Sequence, residues 1–227
     1  MTRLNFANRP HATIVAILFA TVIAVSPAQA GLVQVGSASG MPSIDDTIDW
    51  SALGSPLTAF TPPVAVTSTG GRSASVSGSP SITLFTGAIL TGDFLPGDYA
   101  ISAFDLDAGP LASGIHISLP FLVYALGTQI QVDPLGSFTG KLEAFDVNDV
   151  SLGIVSVTST IFGNGDGSAP FLGAYSTGAA IASVTFTADQ PGVAINGVDL
   201  DLNAPEPSTI TLAFGALAAL VLRRKRR

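Results

Sequence analysis

Gly114-Ile115-His116-Ile117-Ser118-Leu119 switches between apolar and polar at each step, so on an extended chain Ile115, Ile117 and Leu119 share one face and His116 and Ser118 the other. A helix would scatter the same side chains around its axis, so the spacing predicts a strand with one face against a core. The pattern extends outward in both directions. Val64 to Thr69, Ser73 to Ser77, Ser81 to Phe85 and Tyr99 to Asp107 precede it, separated by Gly70-Gly71, Gly78-Ser79-Pro80 and Leu95-Pro96-Gly97-Asp98. Phe121 to Leu126, Thr128 to Val132, Gly140 to Val147, Gly153 to Thr160, Ile181 to Thr187 and Val193 to Leu202 follow it. Gly163-Asn164-Gly165-Asp166-Gly167-Ser168 fits neither a phosphate loop nor a calcium loop and predicts a tight loop with residues at positive φ.

With 24 Gly and 15 Pro in 227 residues, long helices are excluded, and no amphipathic helix of useful length lies between Gly31 and Ala204. Short strands at this spacing, none alternating with helices, predict an all-β fold: an antiparallel two-sheet β-sandwich, jelly-roll-like, over residues 64–204. Residues 31–63, broken by Met41-Pro42, Ser55-Pro56 and Pro62-Pro63, are expected to be an irregular segment packed on that domain. Trp50, the sole Trp, is expected to pin that segment to the core, with an exposed, sugar-stacking ring as the alternative.

Charge is partitioned along the chain. Only Arg72 and Lys141 are basic between Gly31 and Ala204, against fifteen acidic residues, a formal charge of −13. Such a body repels nucleic acid and anionic lipid and attracts cations. The chain has no Cys, which excludes thiol catalysis and disulfide frameworks. His116 is the one imidazole between Gly31 and Arg227; without a second His it is read first as a surface side chain and second as a metal or catalytic group. Glu143 is the sole Glu between Gly31 and Ala204, so a glycosidase pair would have to include an Asp. No Gly-x-Ser-x-Gly elbow is present. Asp199 and Asp201 alternate with Val198, Leu200 and Leu202, which places the two carboxylates on one face about 6.5–7 Å apart. One calcium ion could draw on both with loop oxygens such as those of Asp45 or Asp166; a solvent-facing strand edge is the plainer reading, and no other cofactor is expected. Turn and capping roles are expected for Asp45, Asp46 and Asp49.

The two ends have a different character. Arg3 and Arg9, the apolar run Ala12 to Val25 and Ala28-Gln29-Ala30 have the order of a secretory signal peptide over residues 1–30, cut after Ala30 by signal peptidase once the export machinery has engaged it. At the other end Pro205-Glu206-Pro207 precedes an apolar run from Thr209 to Leu222 and the basic cluster Arg223-Arg224-Lys225-Arg226-Arg227. As a helix that run spans about 21 Å, a short transmembrane crossing, and the cluster would stay on the cytoplasmic side, leaving the body outside the inner membrane.

In all three parts and their order, residues 205–227 resemble the PEP-CTERM sorting signal of Gram-negative bacteria. The resemblance implies an exported protein, transient anchoring in the inner membrane, and an exosortase-type enzyme that cuts near Pro-Glu-Pro and passes the product to the cell surface or extracellular matrix, often beside extracellular polysaccharide. The phrases Ile48-Asp49-Trp50-Ser51-Ala52-Leu53-Gly54, Leu126-Gly127-Thr128-Gln129-Ile130-Gln131, Gly167-Ser168-Ala169-Pro170-Phe171-Leu172-Gly173 and Ala194-Ile195-Asn196-Gly197-Val198-Asp199-Leu200 resemble a domain recurrent in such proteins, one that brings no catalytic residues with it. The expectation is a non-enzymatic binding or scaffolding protein, with Trp50, Tyr99, Tyr124 and Tyr175 as candidate platforms for a sugar ring. A secreted glycan hydrolase and a ligand-free matrix component are the alternatives.

Overall fold

The computed structural model describes residues 31–78, 81–87, 92–103 and 114–204. Ala28 and Ala30, expected at a signal-peptide cut, Phe104 to Asp107, expected to end a strand, and the whole of 205–227 lie outside the described residues. In chain order the strands are β1 (Leu32–Val35), β2 (Asp46–Ile48), β3 (Ala59–Phe60), β4 (Val64–Thr67), β5 (Ser73–Gly78), β6 (Ile82–Thr86), β7 (Tyr99–Ala103) and β8 (Gly114–Val123). They continue as β9 (Ala125–Gln131), β10 (Gly136–Phe145), β11 (Ser151–Ile161), β12 (Phe171–Ser176), β13 (Ile181–Ala188), β14 (Val193–Ile195) and β15 (Val198–Asp201).

These strands form two antiparallel sheets. The larger runs β1-β12-β9-β14-β7-β6-β3, with β15 beside β9 and β2 beside β15; the smaller runs β11-β10-β13-β8-β5-β4. Their facing sides enclose one core. The smaller sheet sends in Ile115, Ile117, Leu142, Val184 and Phe186, and the larger sends Leu84, Ile101, Leu126, Ile130, Leu172 and Leu200. The inward set expected for the 114–119 strand is therefore the buried set, with Ile115, Ile117 and Leu119 at 0%, 1% and 3% exposure. Among the described residues no helix is long and apolar enough to cross a membrane.

The structure departs from the sequence reading in three places. Residues 31–63 are not irregular throughout, since β1, β2 and β3 come from them and all join the larger sheet. Strand 114–119 does not stop at Pro120 but runs to Val123, so the separate strand expected over Phe121 to Leu126 is divided between β8 and β9. Pro120 lies past Ser118, the last residue paired to β5, and opposite the register irregularity against β13, where a missing N–H breaks no ladder bond. Lastly, Val193 to Leu202 is two strands broken at Asn196-Gly197: β14 lies between β7 and β9, and β15 between β2 and β9. β15 is thus an interior strand, and the strand edge expected for Asp199 and Asp201 does not exist.

Candidate functional site: a groove at the β14–β15 break

The break at Asn196 is held by the residue expected to pin the N-terminal segment. Trp50 is fully buried, and its Nε1 donates to the Asn196 carbonyl at 2.7 Å. The Thr128 hydroxyl reaches the same carbonyl at 2.9 Å. The Asn196 side chain then takes the place of strand pairing: its Oδ1 accepts from the Gln129 backbone N–H at 3.0 Å, and its Nδ2 donates to Gln129 Oε1 at 2.7 Å. Gln129 Nε2 donates in turn to the carbonyls of Gly167 and Ala169, at 2.8 and 2.9 Å. A polar floor is fixed in place by this chain of bonds, because the part-buried amides of Gln129 and Asn196 are each satisfied by neighbours.

Over the floor opens a groove of about 780 Å³ on the outer face of the larger sheet. Side chains at alternate strand positions supply it: Gln129 from β9, Asp199 from β15 and Phe171 from β12, whose neighbours Ile130, Leu200 and Leu172 point into the core. Tyr99, Asp98 and Asp49 flank it from β7 and two turns. The Phe171 ring reaches over Gly127 and Gly173, which have no side chains to hold it off. A Cβ at Gly173 would come within 2.7 Å of the ring, and one at Gly127 would run into it. On the same outer face the ring packs, with Tyr175, against a small apolar cluster of Val35, Met41 and Ala125.

Of the aromatic candidates, Tyr99 lines this groove and Trp50 lies under it as a buried support, so Trp50 is not a platform. Tyr124 and Tyr175 line a second groove of about 490 Å³ on the same face, beside Pro42, Asp201 and Asn203. The pair expected to share a calcium ion is divided between the two grooves. Asp201 is 2% exposed, with its oxygens occupied by the N–H groups of Ser43 (3.1 Å) and Asn203 (2.8 Å). Asp199 is half-buried; burial pushes its carboxyl above the usual range, against which the Thr47 hydroxyl at 3.1 Å works. Asp45 and Asp166 are committed elsewhere, Asp45 to Leu202 N–H and Asn203 Nδ2, and Asp166 to Ser168 N–H. Among the described residues no group of three His, Cys, Asp or Glu side chains is placed to hold a metal ion.

The hydrolase candidates sit on the other sheet. Register places His116, Thr185 and Glu143 in one row across the outer face of the smaller sheet, two strand spacings or about 10 Å from His116 to Glu143. His116 Nδ1 bonds the Thr185 hydroxyl at 3.0 Å, and Glu143 accepts from the Ser151 hydroxyl at 2.8 Å. Burial, opposed by Asp149, holds the imidazole below its ordinary pKa.

Sequence reasoning missed Phe171, Gln129, Asn196 and Asp98. Isolated glycines within β9 and β12 were the available signal for a close approach to the backbone, and Asn196-Gly197 was the signal for a break.

The Gly-rich loop forms as expected, with Gly163, Gly165 and Gly167 at φ of 76°, 63° and 79°. What holds it was not foreseen. Asp93, 1% exposed, accepts from the N–H groups of Phe162, Gly163 and Asn164 at 3.0, 2.8 and 3.0 Å.

A comparison with curated proteins finds no match. Among solved structures, a DUF4465 family protein from Bacteroides caccae aligns at 9% identity over 76% of this chain and 100% of its own, with a TM-score of 0.39. TmCBM61, solved with β-1,4-galactotriose, aligns at 13% identity over 57% of this chain and 88% of its own, TM-score 0.32. The low-affinity xylan-binding module CBM86 from Roseburia intestinalis aligns at 17% identity over 54% and 96%, TM-score 0.31. Residues 203–227 match the family model of the PEP-CTERM protein-sorting motif, so the chain carries that sorting signal at its C-terminal end.

Proposed function

We propose that this protein is exported, held briefly in the inner membrane by Thr209 to Leu222, processed near Pro205-Glu206-Pro207 by an exosortase-type enzyme, and released to the cell surface or matrix. There its β-sandwich binds polysaccharide without catalysis. The observation that carries the binding reading is the groove at the β14–β15 break. It offers the Phe171 ring over Gly127 and Gly173, with Tyr99 lining the same groove, next to the polar groups of Gln129, Asn196, Asp98 and Asp199. Stacking on an apolar ring face combined with fixed hydrogen-bonding groups is what a pyranose, apolar on its faces and hydroxylated at its rim, requires.

A glycan array probed with the purified protein, with calcium and with a chelator, tests the binding. A positive array that Phe171→Ala abolishes supports the groove, whereas an empty array favours a ligand-free matrix component. Release of reducing ends from extracellular polysaccharide, lost on His116→Ala or Glu143→Ala, would instead establish a hydrolase. For sorting, Pro205, Glu206 and Pro207 are replaced together by alanine and the exported product is weighed by mass spectrometry. The wild type is expected to lose the mass of its tail and the variant to retain it; equal trimming of both would sink the assignment.

A further inference from the structure

Among the side chains lining the groove, most hydrogen-bond donors are already used by the protein, and the Tyr99 hydroxyl is the exception, with no partner among the described residues. The Gln129 amide spends both N–H groups on Gly167 and Ala169, and the Asn196 amide spends one on Gln129 and turns the other to Asp98 Oδ2 at 3.5 Å. The Thr128 hydroxyl is turned to Asn196, that of Thr47 to Asp199, that of Ser51 to Asp49 at 2.8 Å, and that of Thr69 to Asp46 at 3.0 Å. The acceptors remain open. Among the described residues no group donates to Asp98 Oδ1 or Asp199 Oδ2, whose partner oxygens take the bonds from Leu95 N–H, Asn196 and Thr47. Neither cation of the body lines the groove: Arg72 is paired with Asp46 at 3.0 Å, and Lys141 lies on the outer face of the other sheet.

From this asymmetry we infer that the groove takes a polyhydroxylated chain bearing no negative charge, with Asp98 and Asp199 accepting from sugar hydroxyls, and that it rejects polyuronates. The inference rests on the reading of the groove as a polysaccharide site and narrows it to a ligand class. A carboxylate accepts two neighbouring hydroxyls in charge-assisted bonds, whereas a ligand carboxylate would meet the like charges of Asp49, Asp98 and Asp199 and no free cation to compensate them. Stacking on Phe171 is indifferent to ligand charge, so the carboxylates are the groups that decide the class.

The test is native gel retardation of the purified protein in β-1,4-galactan, xylan or polygalacturonate, at low and high salt. The wild type should be retarded by at least one neutral polymer, almost independently of salt, and not by polygalacturonate at either. Asp98→Asn with Asp199→Asn, which keeps the shape but replaces an acceptor oxygen by an amide, should weaken neutral-polymer binding roughly 10- to 100-fold. An unshifted thermal unfolding midpoint and Trp50 emission would show that the fold is retained. Retardation of the wild type by polygalacturonate as strong as by the neutral chains overturns the inference and leaves the binding reading intact. Neutral binding undiminished in the folded double variant does the same. No retardation of the wild type by any polymer overturns both.

Discussion

Asp46 offers the sharpest test of how the two sheets are held together. It belongs to β2 of the larger sheet, and its carboxylate reaches the turn joining β4 and β5 of the smaller one. Oδ1 accepts from Gly70 N–H at 2.6 Å, Thr47 N–H at 2.9 Å and the Thr69 hydroxyl at 3.0 Å; Oδ2 accepts from the Ser68 hydroxyl and from Arg72 Nη1 at 3.0 Å. Burial alone would raise its pKa, but the bonds from Ser68, Gly70, Thr69 and Thr47 outweigh that and hold it down to about 2, against 3.8 for a free Asp. A folded-state pKa below the unfolded one means the charged form stabilises the fold. The contribution, about 2 kcal/mol at 1.36 kcal/mol per pK unit, is fully present above pH 4 and is lost as pH falls through about 2. Asp46→Asn turns an N–H group toward donors and leaves the Ser68 hydroxyl and Gly70 N–H short of an acceptor, which costs about 3 kcal/mol at neutral pH. The buried Trp50, sole Trp of the chain, reports urea unfolding by fluorescence. The gap in stability between wild type and variant should be about 3 kcal/mol at pH 7 and shrink by about 2 kcal/mol between pH 4 and pH 2. A gap that stays constant with pH, or none at neutral pH, would refute the argument.

Asp93→Ala removes the acceptor from three backbone N–H groups and should destabilise by about 3 kcal/mol, with hydrogen-exchange protection lost first at Phe162, Gly163 and Asn164. Gly127→Ala should displace the Phe171 ring and weaken neutral-polymer binding about 10-fold while leaving Trp50 emission unchanged; unchanged or tighter binding would show that the ring in this position is not the platform. The His116 ring should titrate below 6.5 by NMR, and because its folded pKa is depressed its small contribution to stability is present above pH 6.5 and declines as pH falls below it.

The sequence made legible whatever periodicity could carry. Ile115, Ile117 and Leu119 declared their strand because its two faces see different media, core on one side and solvent on the other. β2 declared nothing, since it is three residues long and its Asp46 is buried, so the pattern it shows is not that of a half-exposed strand. β12 was equally silent: Phe171-Leu172-Gly173-Ala174-Tyr175 is apolar at both parities, because on the outer face Phe171 and Tyr175 pack against a small apolar cluster.

The groove was illegible for a related reason. Its key residue, Asn196, works by not being a strand residue. Inside ten residues that alternate well enough to pass for one strand, it stops β14, hands its carbonyl to Trp50 and its side chain to Gln129, and lets β15 restart beside β2. Each of those partners is more than sixty residues away in the chain, so no local pattern could announce them. The phrases that carried the family resemblance, around Trp50, Gln129, Phe171 and Asn196, are distant in sequence but converge on this one place. Pinning the N-terminal segment and shaping the groove are thus one structural task. A substitution at Trp50 would loosen the strand break and the groove floor together, even though the ring itself never faces a ligand.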